Sequence, residues 1–223
     1  MTTRVFYNHV LVRLVLRKIL PAEIINRKKV RECGQELVSS YSDSILYSEG
    51  IESYYARKEM IERLENVADT IHKGAGLKLL VYELYRSPRK QEWLRERDRK
   101  ELVETHPDYN EQQIQSALNR ISASVGGSGH QTGGAVDLTL CDGEGTPLDM
   151  GTVYLEHNKR TPTKCKDITK EQRKNRHILL TAMKAAGFVN YPGEWWHFCY
   201  GDKMWAAYSR EPYAFYDVVK DYV

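Results

Sequence analysis

Cysteine is sparse in this chain: Cys33, Cys141, Cys165 and Cys199 are the four in 223 residues. No two form a C-x-x-C pair, which argues against a structural thiolate metal site. At this chain length free thiols in a reducing compartment are the expectation, and with them a cytoplasmic location. Long hydrophobic runs are missing too, and no stretch is long enough to span a membrane. The apolar segment from Val10 to Leu20 is broken by Arg13, Arg17 and Lys18. It lacks the uninterrupted core and small-residue cleavage site of a signal peptide. An excess of one charge is also absent: 33 Lys and Arg stand against 30 Asp and Glu, a net charge of +3. The basic cluster Arg95-Glu-Arg-Asp-Arg-Lys100 is mixed in sign and reads as a solvated helix face. Neither nucleic acid nor a membrane is therefore an expected partner. Repeats, low-complexity tracts and linkers are lacking as well. The expectation is one domain over residues 1–223, with a core at about 58–205 and the N-terminal segment packed on it.

What is present is 41% hydrophobic and 28% charged residues, as in an ordinary globular protein. Leu11, Leu14, Leu16, Ile19 and Leu20 could line a short helix that Pro21 ends. Residues 39–55 read as loops and short strands. Ile61, Leu64, Ala68 and Ile71 recur at helical spacing and predict a helix over 58–73, with Gly74 just past its end. Leu77 to Leu84 reads as a buried strand, and Pro88 as the start of a helix to about Glu104. A second helix is expected from Asn110 to Ile121. Leu148 to Tyr154 reads as the returning strand of a hairpin. Thr169 and Gln172 form a capping box that opens a further helix, closed by Gly187. Trp205 to Tyr216 is an aromatic tail expected to pack on the core. Helices and short strands in mixed order indicate an α+β fold.

The chemistry concentrates in two stretches. Ser128-Gly-His-Gln-Thr-Gly-Gly-Ala-Val-Asp-Leu-Thr-Leu140 carries His130 and Asp137. On a strand, Val136, Leu138 and Leu140 face one side, and Ala135, Asp137 and Thr139 the other. A carboxylate in such company needs a partner, because a buried unpaired charge is costly. The second stretch is Pro192-Gly-Glu-Trp-Trp-His-Phe198. Glu194 and His197 are three apart and would face opposite ways on a straight strand; a turn at Pro192-Gly193 lets Glu194 lean toward the same site. Two imidazoles and a carboxylate suit a catalytic zinc with water in its fourth position, and a nearby free Glu suits metal-assisted hydrolysis. Trp195 and Trp196 read as packing residues. A lone histidine is ordinarily structural, and His9, His72, His106, His157 and His177 are read so.

The elements Ser128-x-His130-x-x-Gly133-x-Ala135-x-Asp137 and Glu194-x-Trp196-His197 resemble the paired signature of the D-alanyl-D-alanine dipeptidase and carboxypeptidase family of zinc peptidases, with the dipeptidase branch the better match. The likeness covers Leu77 to about Tyr200 and includes Tyr85-Arg86-Ser87, Asp149-Met150-Gly151-Thr152 and Gly187-Phe188-x-Asn190-Tyr191. The resemblance implies a central antiparallel sheet flanked by helices, with a zinc cleft on the sheet. It implies His130, Asp137 and His197 as ligands of one Zn²⁺ per chain and Glu194 as general base. It gives Arg86 the oxyanion and Ser128 the substrate's terminal carboxylate or backbone.

The substrate so implied is the dipeptide D-alanyl-D-alanine. The alternatives are a D,D-carboxypeptidase acting on peptidoglycan precursors, or a non-catalytic zinc-bearing binding module. In the resembled dipeptidases an aspartate after the Met-Gly segment holds the substrate's ammonium. Here Leu155 occupies that place by count and Glu156 is the nearest carboxylate. The expectation is that Glu156 reaches the amine, with a looser demand for a free amine. The family usually has Pro after the Tyr-Arg pair, where this chain has Ser87 and then Pro88.

Overall fold

The computed structural model describes residues 19–40, 42–51 and 53–219. The expected helix in Leu11 to Leu20 falls almost wholly outside them. A short helix α1 (Ala22–Asn26) is followed by four brief strands, β1 (Lys29–Val30), β2 (Leu37–Ser39), β3 (Ile45–Tyr47) and β4 (Tyr55–Arg57). Helix α2 (Lys58–Ala75) and strand β5 (Lys78–Glu83) precede a helical hairpin, α3 (Pro88–Thr105) and α4 (Glu111–Ile121). A 3₁₀ turn (Gly129–Thr132) leads into β6 (Ala135–Cys141). After a long loop come α5 (Lys170–Ala185), β7 (Val189–Asn190), β8 (His197–Cys199), α6 (Lys203–Tyr208) and β9 (Tyr213–Ala214).

The main sheet has the order β3-β5-β6-β8-β7. It is mixed rather than wholly antiparallel, because β3 runs parallel to β5 while the other pairs are antiparallel. Two small sheets flank it: β2 pairs with β4, and β1 with β9.

The core lies between the sheet and two helices. Met60, Ile61, Leu64, Val67, Ala68 and Ile71 line one stripe of α2, the stripe that the helical period picked out. They cluster with Leu179 and Met183 of α5 and with Val136, Leu138 and Leu140 of β6. Helix α2 runs past Gly74; Gly76 takes the left-handed position at φ 66° and its N–H closes on His72 O. The predicted starts of the other helices hold: Ser87 accepts from Lys90 N ahead of Pro88, and Asn110 and Thr169 each form a capping box.

The expected hairpin strand from Leu148 to Tyr154 does not form. The chain makes a single bridge at Pro147 to Cys141 and then leaves the sheet. Its carbonyls are taken by side chains of α5 instead. Asn175 Nδ2 donates to Asp149 O at 2.9 Å, and the buried Arg176 donates to Met150 O, Pro162 O and Arg160 O at 2.7, 2.8 and 2.9 Å. This fork holds a long irregular loop over one end of the sheet.

Candidate active site

Strand β6 is buried along its whole length, with the apolar Val136, Leu138 and Leu140 on the core side. Its other face carries Asp137 toward a cleft of about 470 Å³. In register, Asp137 stands opposite His197 on β8. His130 comes from the 3₁₀ turn just before the strand, and the reversal between them needs two glycines. Gly133 sits at φ +69°, where a Cβ would lie 2.4 Å from Leu37 Cδ2 and 3.3 Å from Arg57 N. Gly133→Ala is therefore expected to cost about 1–3 kcal/mol of stability, read from urea denaturation of the metal-free protein. Unchanged stability would refute that account of the turn.

The three side chains converge as expected. His197 Nδ1 lies 2.8 Å from Asp137 Oδ1 and 3.2 Å from His130 Nε2. His130 Nε2 lies 3.3 Å from Asp137 Oδ1. The far nitrogen of His130, Nδ1, is 2.8 Å from Leu84 O. A carbonyl only accepts, so Nδ1 carries a proton and Nε2 is the nitrogen left on the side of the other two groups. Four-coordinate zinc with bonds near 2.0–2.1 Å sets its ligand atoms about 3.3 Å apart. The His-Asp-His donor set fits such an ion on spacing and chemistry. Burial pushes the Asp137 carboxyl up, but the His130 and His197 imidazoles outweigh it and hold the group well below the ordinary carboxylate range.

Glu194 reaches the same cleft through the turn foreseen at Pro192-Gly193, closed by Glu194 N donating to Tyr191 O at 3.1 Å. Asn190 Nδ2 donates to both Glu194 O (2.9 Å) and His197 O (3.0 Å). Thr163 Oγ1 donates to Asn190 Oδ1 at 2.7 Å. One amide thus locks the two site residues to each other. Burial raises the Glu194 carboxyl to about 7, against the opposing pull of His197. Trp195 and Trp196 are buried as expected, and Trp195 Nε1 donates to Thr152 Oγ1 at 2.8 Å.

Arg86 lines the cleft and is anchored from behind. Its Nε donates to Glu83 Oε1 at 3.0 Å, its Nη2 to Glu83 Oε2, and its Nη1 to Gln91 Oε1 at 2.8 Å. Gln91 Nε2 in turn holds Ala123 O at 2.8 Å. A guanidinium has five N–H groups, so two remain for a ligand. Ser87 in the place of the usual proline leaves this arrangement intact and caps α3. Ser128 is buried at the cleft wall and does not cap the 3₁₀ turn with its side chain.

Sequence reading missed Glu83, Tyr154 and His157. Glu83 faces Asp137 because the β5–β6 register shifts between Val81 and Glu83; a bulge re-aims the side chains that follow it. The Tyr154 hydroxyl donates to Asp137 Oδ2 at 3.0 Å. His157, read as structural, lines the cleft with Nδ1 3.8 Å from Glu194 Oε1. The alternating pattern of β6 could have signalled Asp137 alone; nothing local marks the others. The Glu156 expectation fails: its Oε2 accepts from Val153 N at 3.1 Å and its Oε1 from Asn158 Nδ2 at 2.5 Å. Leu155, at φ 63°, lines the cleft in its stead.

A D-alanyl-D-alanine dipeptidase of Escherichia coli (strain K12) is 33% identical over 129 residues, 58% of this chain and 58% of that protein. One from Synechocystis is 39% identical over 89 residues, 34% of this chain and 36% of that protein. The matched stretch thus spans less than two thirds of either relative. Among solved structures, VanYB in complex with D-alanine-D-alanine overlays with a TM-score of 0.49 at 19% identity, over 89% of this chain and 91% of that one. The LdcB LD-carboxypeptidase overlays at 0.48 with 22% identity, over 86% and 76%. Residues 49–218 match the peptidase family Peptidase_M15, described as D-ala-D-ala dipeptidase, and the chain belongs to that family.

Proposed function

We propose that this protein is a zinc-dependent dipeptidase that hydrolyses D-alanyl-D-alanine to free D-alanine. The observation that carries the reading is the convergence of His130, Asp137 and His197 with Glu194 at the turn beside them. The family membership and the relatives named for this reaction support the substrate. One zinc per chain would be held by His130 Nε2, Asp137 Oδ1 and His197 Nδ1. Bound there, it would polarise the scissile carbonyl and acidify a water molecule. Glu194 takes the proton of the attacking water and delivers it to the leaving amine. Arg86, fixed by Glu83 and Gln91, offers its remaining N–H groups to the developing oxyanion. Ser128 at the cleft wall binds the substrate's terminal carboxylate or backbone. The described cysteines are free, which supports a reducing, cytoplasmic setting. Among the described residues no helix is long and apolar enough to cross a membrane.

One observation favours a second reading, a D,D-carboxypeptidase acting on longer precursors. Glu156 is engaged in its own loop and Leu155 is the side chain that faces the cleft. An alkyl group gives an ammonium nothing to pair with. The deciding experiment compares kcat/KM for D-Ala-D-Ala, N-acetyl-D-Ala-D-Ala and L-Ala-L-Ala on the zinc-loaded protein. Release of D-alanine from the free dipeptide in preference to the other two is the expected result. Preference for the acetylated peptide gives the carboxypeptidase reading, and cleavage of none defeats both.

A further inference from the structure

The carboxylate of Asp137 has two oxygens with different surroundings. Oδ1 faces His130 and His197. Oδ2 accepts from the Tyr154 hydroxyl at 3.0 Å, and the same hydroxyl lies 3.3 Å from Glu83 Oε2. A phenol has one proton to give. Glu83 already takes the Arg86 fork and the Lys90 ammonium at 3.2 Å, so the proton goes to the nearer oxygen, on Asp137. The Tyr154 ring is itself fixed. It stacks on Tyr82 with centroids 4.4 Å apart and planes 6° apart, and meets Trp196 edge-on at 5.7 Å. Tyr82 is the residue at which the β5–β6 register shifts. The one irregularity therefore serves twice, turning Glu83 toward Asp137 and setting Tyr82 under the ring.

We propose that Tyr154 is a positioning residue that restricts Asp137 to a single metal-binding oxygen. The inference rests on the metal reading given above. With Oδ2 tied to the hydroxyl, Asp137 presents Oδ1 alone and cannot chelate through both oxygens. A coordination position stays open for water or the substrate carbonyl, as a catalytic site requires. Outer partners of metal-binding carboxylates commonly control affinity by about 10–100-fold.

Tyr154→Phe tests this, because it keeps both ring contacts and removes only the hydroxyl. Zinc affinity is measured by chelator competition, coordination by the visible spectrum of the Co²⁺-substituted protein, and folding by melting of the metal-free protein. The expected result is zinc binding weaker by about 10-fold or more, a Co²⁺ absorption altered toward higher coordination, and a metal-free variant that still folds cooperatively, at a melting temperature lowered only as the loss of one buried hydrogen bond requires. Wild-type affinity together with a wild-type Co²⁺ spectrum overturns the proposal. So does a variant that does not fold without metal, since the hydroxyl would then hold the fold rather than the ligand. Asp137→Ala separates this failure from that of the metal reading. If Asp137→Ala loses zinc and Tyr154→Phe does not, the positioning role alone falls; if Asp137→Ala keeps zinc, the ligand set is wrong.

Discussion

Glu194→Gln is expected to keep its zinc and its fold while kcat falls by at least about 10²-fold, the usual contribution of a general base. The substitution preserves the size of the side chain and the turn that carries it. The backbone bonds from Asn190 to Glu194 O and His197 O do not involve the carboxylate. What is lost is the basic oxygen. The same variant gives a second signal in the metal-free protein. Burial lifts the Glu194 carboxyl from 4.5 to about 7. A carboxyl whose folded value is raised favours folding fully below its unfolded value, and that contribution is lost as pH rises through about 7. The metal-free wild type should therefore lose stability between about pH 4.5 and 7 in a way that Glu194→Gln does not. The difference above pH 7 should be on the order of 3 kcal/mol in favour of the variant. Urea denaturation at pH 5 and pH 8 reads it directly. Near-normal turnover by Glu194→Gln would remove this residue from the chemistry, whatever the stability result.

The parts of this site that could be read in the sequence are those whose neighbours are local. His130, Asp137 and His197 sit in two short stretches that carry the resemblance to the family's paired signature, strand alternation gives the direction of Asp137, and the cleft receives all three. The stripe of α2 was legible for the same reason, because a 3.6-residue period is a property of consecutive residues. What was not legible depends on chain crossings. Strand β3 joins the sheet parallel to β5, and no pattern within Ile45–Tyr47 distinguishes that from an antiparallel edge. Glu83 belongs to a run that reads as an ordinary buried strand, and only the bulge against β6 turns it to Asp137. Leu148 to Tyr154 has the composition of a strand. The side chains that withdraw it from the sheet, Asn175 and Arg176, are more than twenty residues further on. Glu156 shows the limit of counting: a left-handed Leu155 reverses the chain just before it, and the carboxylate closes its own loop.

Replacing His197 with alanine is expected to remove most of the zinc and to lower kcat/KM by at least about 10³-fold. A metal acting as Lewis acid supplies several kcal/mol of transition-state stabilisation, and each 1.36 kcal/mol is a factor of about ten in rate. The effect on binding follows from the geometry. His197 Nδ1 stands 2.8 Å from Asp137 Oδ1 and 3.2 Å from His130 Nε2. Without it only two donors remain, one fewer than a catalytic zinc site uses. The exposed His177 on α5 lies outside the cleft lining, so His177→Ala should retain both metal and activity. Stability offers a readout free of substrate. A ligand that binds only the folded state raises stability by RT ln(1 + [L]/Kd), about 4 kcal/mol at a thousandfold excess over Kd. Chelator should therefore lower the melting temperature of the wild type and of His177→Ala, while His197→Ala melts at the same temperature with or without it. Elemental analysis closes the test. Full zinc occupancy in His197→Ala, with a chelator-sensitive melting temperature, would mean that the ion is held elsewhere and that the three converging side chains are not its site.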